Sequence, residues 1–505
     1  MTQSVADVIA KLREHLKKIS HYQEAVALLE WDARTGAPRK GAGLRAQTIG
    51  TLAAELFRLQ TAPELAEWLE RLTEPAVYAE LSQVDQAIVR ETKRDYDLLA
   101  KIPADRFAAY KVLTSEAQSV WEEAKAASDF ARFAPYLEQI VAMKLEFIDH
   151  WGYGEHKYDA LLDQYEPGMT VRRLDELFGA LRTHTVALVQ EIVQCGRKPD
   201  TGILARPFDV GQQRALSIAM LQRIGYDFEA GRLDETVHPF MTTINRYDNR
   251  VTTKFVPDDL RPSLFGTIHE GGHALYEQAI DPSFIGTPLA TGTSMGIHES
   301  QSRFYENMIG RSLPFWEGAY GELVRLFPAQ FADVPVYDFY CAINAVEPSL
   351  IRIEADEVTY NLHIMVRYDL EKALIEGDLR VADLPEAWRA KMQEYLGIVP
   401  PNDALGVLQD VHWSGGDFGY FPSYALGNLY AAQFRATLQR EVPGVWEEVR
   451  RGNLGVVKAW LNEKIHRFGK LLTPGDIVQQ VTGEPLDARY WTAYLDEKYR
   501  PIYGI

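Results

Sequence analysis

Cysteine is nearly absent: the 505-residue sequence holds two, Cys195 and Cys341, far apart in the chain. This excludes a disulfide framework or a cysteine-built zinc ribbon, and it suits a reducing cytoplasm with both thiols buried as unreactive core residues. Long apolar runs are missing too, and no stretch reaches the roughly 18 residues that would cross a bilayer. The segment Met1–Ser20 mixes acidic residues with a helical apolar period (Val5, Val8, Ile9, Leu12, Leu16, Ile19). It lacks a continuous apolar stretch followed by small residues, so it is not expected to be a secretory leader. Positive charge is short: 53 Lys and Arg against 71 Asp and Glu leave a net charge of −18. That balance excludes the basic footprint of a nucleic-acid binder, disfavours an anionic membrane surface, and serves solubility.

Strand-like alternation is scarce, and helical periodicity fills the chain instead. Residues 1–31 read as one amphipathic helix, with the period continuing through Tyr22, Val26 and Leu29, followed by a Gly/Pro-rich turn from Thr35 to Gly43. Segments 44–60, 62–72, 77–100, 104–127, 130–150, 171–196 and 209–225 are also helix-periodic, separated by Pro- or Asp-rich breaks. Two short stretches, 235–245 and 249–255, are rich in Thr, Val and Phe and predict a small antiparallel ribbon. Residues 313–505 return to helix, with proline-marked loops near 347–348 and 400–403. The length exceeds that of a single core, yet no linker or repeat interrupts it. The expectation is one mostly α domain over residues 1–505, folded as two lobes around a cleft.

The chemistry concentrates where a predicted helix, opening at Pro262–Ser263 and closing at Asp281–Pro282, carries His269-Glu270-Gly271-Gly272-His273. Leu264, Ile268 and Leu275 share one stripe; Phe265, His269, His273 and Tyr276 share the next. Two imidazoles one turn apart can hold one zinc ion, and Glu270 between them is placed to draw a proton from an attacking water. Gly271 and Gly272 cost about 1 kcal/mol each against alanine in a helix, so they predict close approach of a facing segment or a substrate backbone. A third ligand is required. A second helix, from Ile297 to near Gly310, offers Glu299 and Glu306 on one face with Arg303 between them; His298 is a weaker rival, and spacing does not choose.

These residues belong to an ordered series. His238-Pro239-Phe240, Asp248-Asn249-Arg250-Val251-Thr252, His269 to His273, His298-Glu299-Ser300-Gln301, Ile351-Arg352-Ile353-Glu354-Ala355-Asp356, and Gly406-Val407-Leu408-Gln409-Asp410-Val411-His412-Trp413 follow one another along the chain. In this respect the chain resembles the M32, or Taq-type, metallocarboxypeptidases over essentially its whole length. The resemblance implies Glu299 as third ligand to zinc, with cobalt able to substitute. It also implies a helical saddle-shaped fold with a deep central groove, similar to neurolysin and angiotensin-converting enzyme. Relatives of this kind are homodimers that remove single residues from free peptide C-termini with broad specificity.

Further roles follow from charge and chemistry. His412, Tyr420 and Tyr424, in a polar turn before a tyrosine-rich helix, are candidate donors to a tetrahedral oxyanion. A similar His–Tyr pairing occurs in angiotensin-converting-enzyme relatives at a different spacing, which leaves both tyrosines open. Arg250 and Arg352 are candidates for the substrate carboxylate, with ion pairs to Asp248, or to Glu354 or Asp356, as the structural alternatives. Gln409 and His238 complete the substrate-side set, His238 as a structural or wall residue. The competing functions are a zinc endopeptidase or oligopeptidase, and a helical binding protein with an inert HExxH.

Overall fold

A computed structural model describes residues 4–505. The first helix, α1 (Val5–Arg34), starts at a capping box in which the Ser4 hydroxyl accepts from the Asp7 amide and Asp7 accepts from the Ser4 amide. Its buried residues Val8, Leu12, Leu16 and Ile19 are those of the apolar period. The helix expected over 1–31 thus forms, although its first three residues lie outside the described ones. Helices at Ala42–Gln60, Pro63–Leu72, Ala104–Ala127, Phe130–Trp151 and Val171–Cys195 also follow the predicted segments. The segment 77–100 does not form one helix. It breaks into Pro75–Glu80 and Gln83–Ala100 because the Ser82 hydroxyl accepts from the Asp85 amide and caps a new start.

Beyond α2 (Val210–Ile224), three short strands form one sheet: β1 (Gly231–Glu235), β2 (Met241–Asn245) and β3 (Asp248–Thr253), in the order β1-β3-β2. The β2–β3 pair is the antiparallel ribbon, with Met241 opposite Val251; β1 runs parallel to β3, with Leu233 opposite Val251. The predicted single strand over 235–245 is therefore corrected to the end of β1, a crossover and β2. Pro239 cannot donate to a ladder, and the charged run Gly231-Arg232-Leu233-Asp234-Glu235 hides β1 from a propensity reading.

Helix α3 (Arg261–Ala279) follows the sheet. Leu264, Phe265, Ile268, Leu275 and Tyr276 are all buried, so apolar residues cover more than one side of it, as in a central helix. Its amino-terminal half is fastened by buried hydroxyls: that of Thr267 shares hydrogen bonds with those of Ser217 of α2 (3.1 Å) and Thr253 of β3 (3.0 Å), and Ser263 donates to Gln213 (2.6 Å). Helix α4 (Met295–Arg303) runs on into a π-helical turn, Phe304–Ile309, in which the Gly310 amide bonds the Tyr305 carbonyl five residues back.

The chain forms two compact units. One takes the described residues through Ala100 with Asp200–Ile343 and Phe434–Glu484; the other takes Lys101–Pro199, Asn344–Gln433 and Pro485–Ile505. The architecture is mostly helical, with the one small sheet in the first unit. Among the described residues, no helix is long and apolar enough to cross a membrane. Cys341 is buried, but Cys195 is exposed, correcting the expectation for that thiol: it ends the helix Val171–Cys195, where the buried face stops at Ile192.

Candidate active site

In the first unit, α3 and α4 bring His269, His273 and Glu299 together, with one donor atom from each within 4.8 Å of the others. Glu299 Oε2 lies 3.7 Å from His269 Nε2 and 3.4 Å from His273 Nε2. Metal–ligand bonds of about 2.0–2.2 Å in tetrahedral array set neighbouring ligand atoms roughly 3.4 Å apart, so this spacing fits a small divalent cation.

Close packing makes the convergence possible. A Cβ on Gly272 would lie 2.6 Å from the Gln301 carbonyl oxygen and 2.7 Å from Ser302 Cα, so this glycine is where the backbone of α4 meets α3. A Cβ on Gly271 would meet the side-chain ends of Leu221 and Ile224 of α2. Facing segments, on both sides, explain the paired glycines. Gln301 is held in turn by buried His466, whose Nε2 lies 2.7 Å from its Oε1.

The other two sequence candidates for third ligand stand behind the histidines. His269 Nδ1 lies 2.8 Å from Glu306 Oε2, and His273 Nδ1 lies 2.6 Å from His298 Nδ1. His298 Nε2 reaches Glu277 Oε1 at 2.9 Å. These contacts fix the protons: each of His269 and His273 donates from Nδ1, which leaves its Nε2 lone pair facing Glu299. On an ideal α-helical period Glu306 would share the stripe of Glu299, but the π turn begins between them. Arg303 donates to Glu299 (2.7 Å) and Glu306 (3.3 Å), and Arg311 to Glu306 (3.1 Å). Glu277, which the sequence reading missed, lies one turn after His273 and also accepts from the Gly292 amide.

The electrostatics favour a bound cation. Glu270, Glu299 and Glu306 outnumber Arg303 and Arg311, and all three carboxylates are buried. Burial pushes the Glu270 carboxyl up to about 7. Burial also pulls His273 down to about 3, which keeps it a neutral donor. Burial acts the same way on His269, but the Glu299 and Glu306 carboxylates outweigh it and raise its pKa. For Glu299, burial is outweighed by Arg303 and the histidines, which hold it well below the carboxylate range. In the same unit, Arg250 makes a two-pronged pair with Asp248 (2.8 and 2.7 Å) and lies over the Trp31 ring at 4.4 Å. His238 is exposed in the crossover between β1 and β2.

The second unit carries the remaining predicted residues. Arg352 is buried and donates to Asp410 (3.0 and 2.8 Å) and to the Tyr360 hydroxyl (3.0 Å), so its ion pair is with Asp410 and not with Glu354 or Asp356. Arg367 grips the other oxygen of Asp410 at 2.7 Å. Gln409 accepts from the Arg352 amide and Arg367 and donates to two backbone carbonyls, so both ends of its side chain are committed. The guanidinium of Arg352 also lies 4.9 Å over the Tyr424 ring. His412 Nε2 lies 3.2 Å from the Tyr424 hydroxyl, and its ring is tilted against Tyr420 with centroids 5.6 Å apart. Burial pulls His412 down to about 4, leaving it neutral near pH 7.

Sequence comparison places this arrangement in context. A model of the Carboxypeptidase Taq (M32) metallopeptidase family matches residues 11–499. Carboxypeptidase 1 of Bacillus subtilis is 50% identical over 488 residues, 97% of each chain. Thermostable carboxypeptidase 1 of Thermus thermophilus is 44% identical over 98% of each. The crystal structure of the M32 carboxypeptidase from Deinococcus radiodurans superposes with a TM-score of 0.95 at 36% identity, covering 99% of this chain and 100% of that one. With nearly its full length matched by the family model and by these relatives, the chain belongs to the M32, Taq-type, metallocarboxypeptidases.

Proposed function

We propose that this metallocarboxypeptidase removes single residues from the free C-termini of peptides, with His269, His273 and Glu299 holding the cation and Glu270 serving as the base. The observation that carries the assignment is the convergence of two Nε2 atoms and one carboxylate, with a second buried carboxylate, Glu270, on the helix that bears both histidines. A divalent cation held by His269, His273 and Glu299 would supply Lewis acidity, lowering the pKa of a water and polarising the scissile carbonyl. Zinc suits a tetrahedral set of two nitrogens and one oxygen, and cobalt accepts the same donors.

Glu270 takes a proton from the attacking water and passes it to the leaving amine, a cycle that suits a carboxyl whose buried setting raises its pKa toward 7. His412, Tyr420 and Tyr424 are the proposed donors to the oxyanion. Arg352 is a stronger candidate than Arg250 for the substrate carboxylate. Two guanidiniums surround the single Asp410 carboxylate and leave one positive charge over, whereas Arg250 is matched by Asp248. Resemblance to the family supports a cytoplasmic homodimer acting on peptides of broad sequence.

The test compares a peptide with a free C-terminus and the same peptide amidated. The amide should be cleaved at least tenfold more slowly, because it offers no carboxylate to the arginine. Equal rates would overturn the exopeptidase assignment in favour of an endopeptidase.

A further inference from the structure

The turn that carries His412 and Tyr420 is tied at two points by one carboxylate from a neighbouring helix. Glu371 lies on the helix α5 (Tyr360–Glu376) and is fully buried. Its Oε1 accepts the indole N–H of Trp413 at 2.7 Å; its Oε2 accepts the backbone N–H of Gly419 at 2.9 Å and the hydroxyl of Tyr158 at 2.6 Å. Trp413 immediately follows His412, and Gly419 immediately precedes Tyr420. We propose that Glu371 is a positioning residue that sets the geometry of His412, Tyr420 and Tyr424, by bridging the indole of Trp413 and the amide of Gly419. The proposal rests on the oxyanion role given to those three side chains above.

The chemistry of the donors explains why a carboxylate occupies this place. An indole N–H and a backbone N–H can only donate, so the bridging group must present an acceptor in each direction. A carboxylate does so, whereas a glutamine amide would turn N–H groups toward one of the two. Among the described residues Glu371 makes no ion pair, so every group that hydrogen-bonds to it is a neutral donor. Burial pushes its carboxyl up to about 7, against the three hydrogen bonds that oppose the shift.

The rest of the turn leaves little slack. Gly419 has φ +87°, and a Cβ there would lie 2.7 Å from the backbone of Leu161; a Cβ on Gly416 would collide with the Tyr110 hydroxyl. With packing this close, a displacement of Trp413 or Gly419 on loss of the bridge is passed along the turn to the His412–Tyr424 pair.

The experiment measures kcat, KM and bound metal for the full-length holoenzyme on a free-acid peptide. Glu371→Gln should lower kcat roughly tenfold to a hundredfold, less than the about 10²–10³ that outright loss of an oxyanion donor costs, with KM and metal content close to wild type. Trp413→Phe alone should lower kcat severalfold. The double variant Glu371→Gln with Trp413→Phe should recover activity relative to Glu371→Gln, because the amide no longer faces an indole N–H. In a His412→Ala, Tyr420→Phe, Tyr424→Phe background, which should itself be strongly impaired, Glu371→Gln should change kcat less than about twofold. Wild-type kcat in Glu371→Gln, or a double variant worse than either single, overturns the proposal while leaving the oxyanion assignment standing. Wild-type kcat in the triple background overturns both. Should Glu371→Gln fail to fold, an unchanged kcat in Trp413→Phe overturns it on its own.

Discussion

The metal-side cluster of the first unit and the 410–424 turn of the second solve the same problem, holding polar side chains still, by opposite means. His269, His273 and Glu299 stand on two helices whose backbones touch at Gly272, and each histidine has a dedicated partner behind it. His412 and Tyr420 stand on or beside irregular backbone, and rigidity is imported from a helix 40 to 50 residues earlier in the sequence through Glu371. The first arrangement writes its geometry into local spacing; the second depends on contacts that form only when the chain has folded. Substitutions of the three ligands or of the groups behind them should therefore register in metal affinity, and substitutions in the second region in turnover alone.

The largest separation of the two is expected at Glu270. Glu270→Gln removes the base while leaving the three donors in place, so turnover should fall about 10²–10⁴-fold with full metal content. Chelation of the wild type should abolish activity as completely, and readdition of zinc or cobalt should restore it. A Glu270→Gln enzyme that keeps more than a tenth of wild-type kcat would remove this residue from the chemistry.

Next in size is the layer behind the histidines. Glu306→Gln takes away the charged acceptor of the His269 proton, and it should weaken metal binding about 10–100-fold in titration against a chelator of known affinity. His298→Asn should cost less, since His273 meets another imidazole there and not a carboxylate. Equal affinity losses would show that the two histidines are held alike. Neither variant should alter the kcat of fully loaded enzyme as strongly as Glu270→Gln.

How far the sequence foretold these regions follows the same division. The HEGGH helix, its Gly pair and the one-turn spacing of Glu299 and Arg303 could be read because a 3.6-residue period turns spacing into geometry within one element. The position of Glu306 behind His269 could not, since a π turn is a tertiary compromise with no strong residue signature. Strand β1 was hidden by its charges, and the Ser82 cap by an apolar period that continues across it. The ion-pair partner of Arg352 was sought at Glu354 and Asp356, close in sequence, whereas Asp410 lies 58 residues on. Glu371 left no mark at all, since a lone glutamate in a helix reads as a solvated face.

Gly272→Ala tests the contact between the two metal-bearing helices. The added methyl meets backbone, which cannot swing aside, so stability should fall by about 1–3 kcal/mol in urea unfolding and metal affinity should fall with it. Gly271→Ala meets only the ends of Leu221 and Ile224 and should cost less, with metal affinity spared.

The smallest effect expected is a pH dependence confined to the second unit. The Glu371 carboxyl is raised from an ordinary 4.5 to about 7, with burial the principal cause. Between those values the folded chain binds a proton at this site more readily than the unfolded chain, so stability contributed by the protonated group is lost as pH rises through the window. Glu371→Gln carries no such proton. The difference in urea midpoint between wild type and variant should therefore shift toward the variant from about pH 5 to about pH 7.5. A difference that stays constant over that range would mean that Glu371 is ionised throughout, with its three donors outweighing its burial.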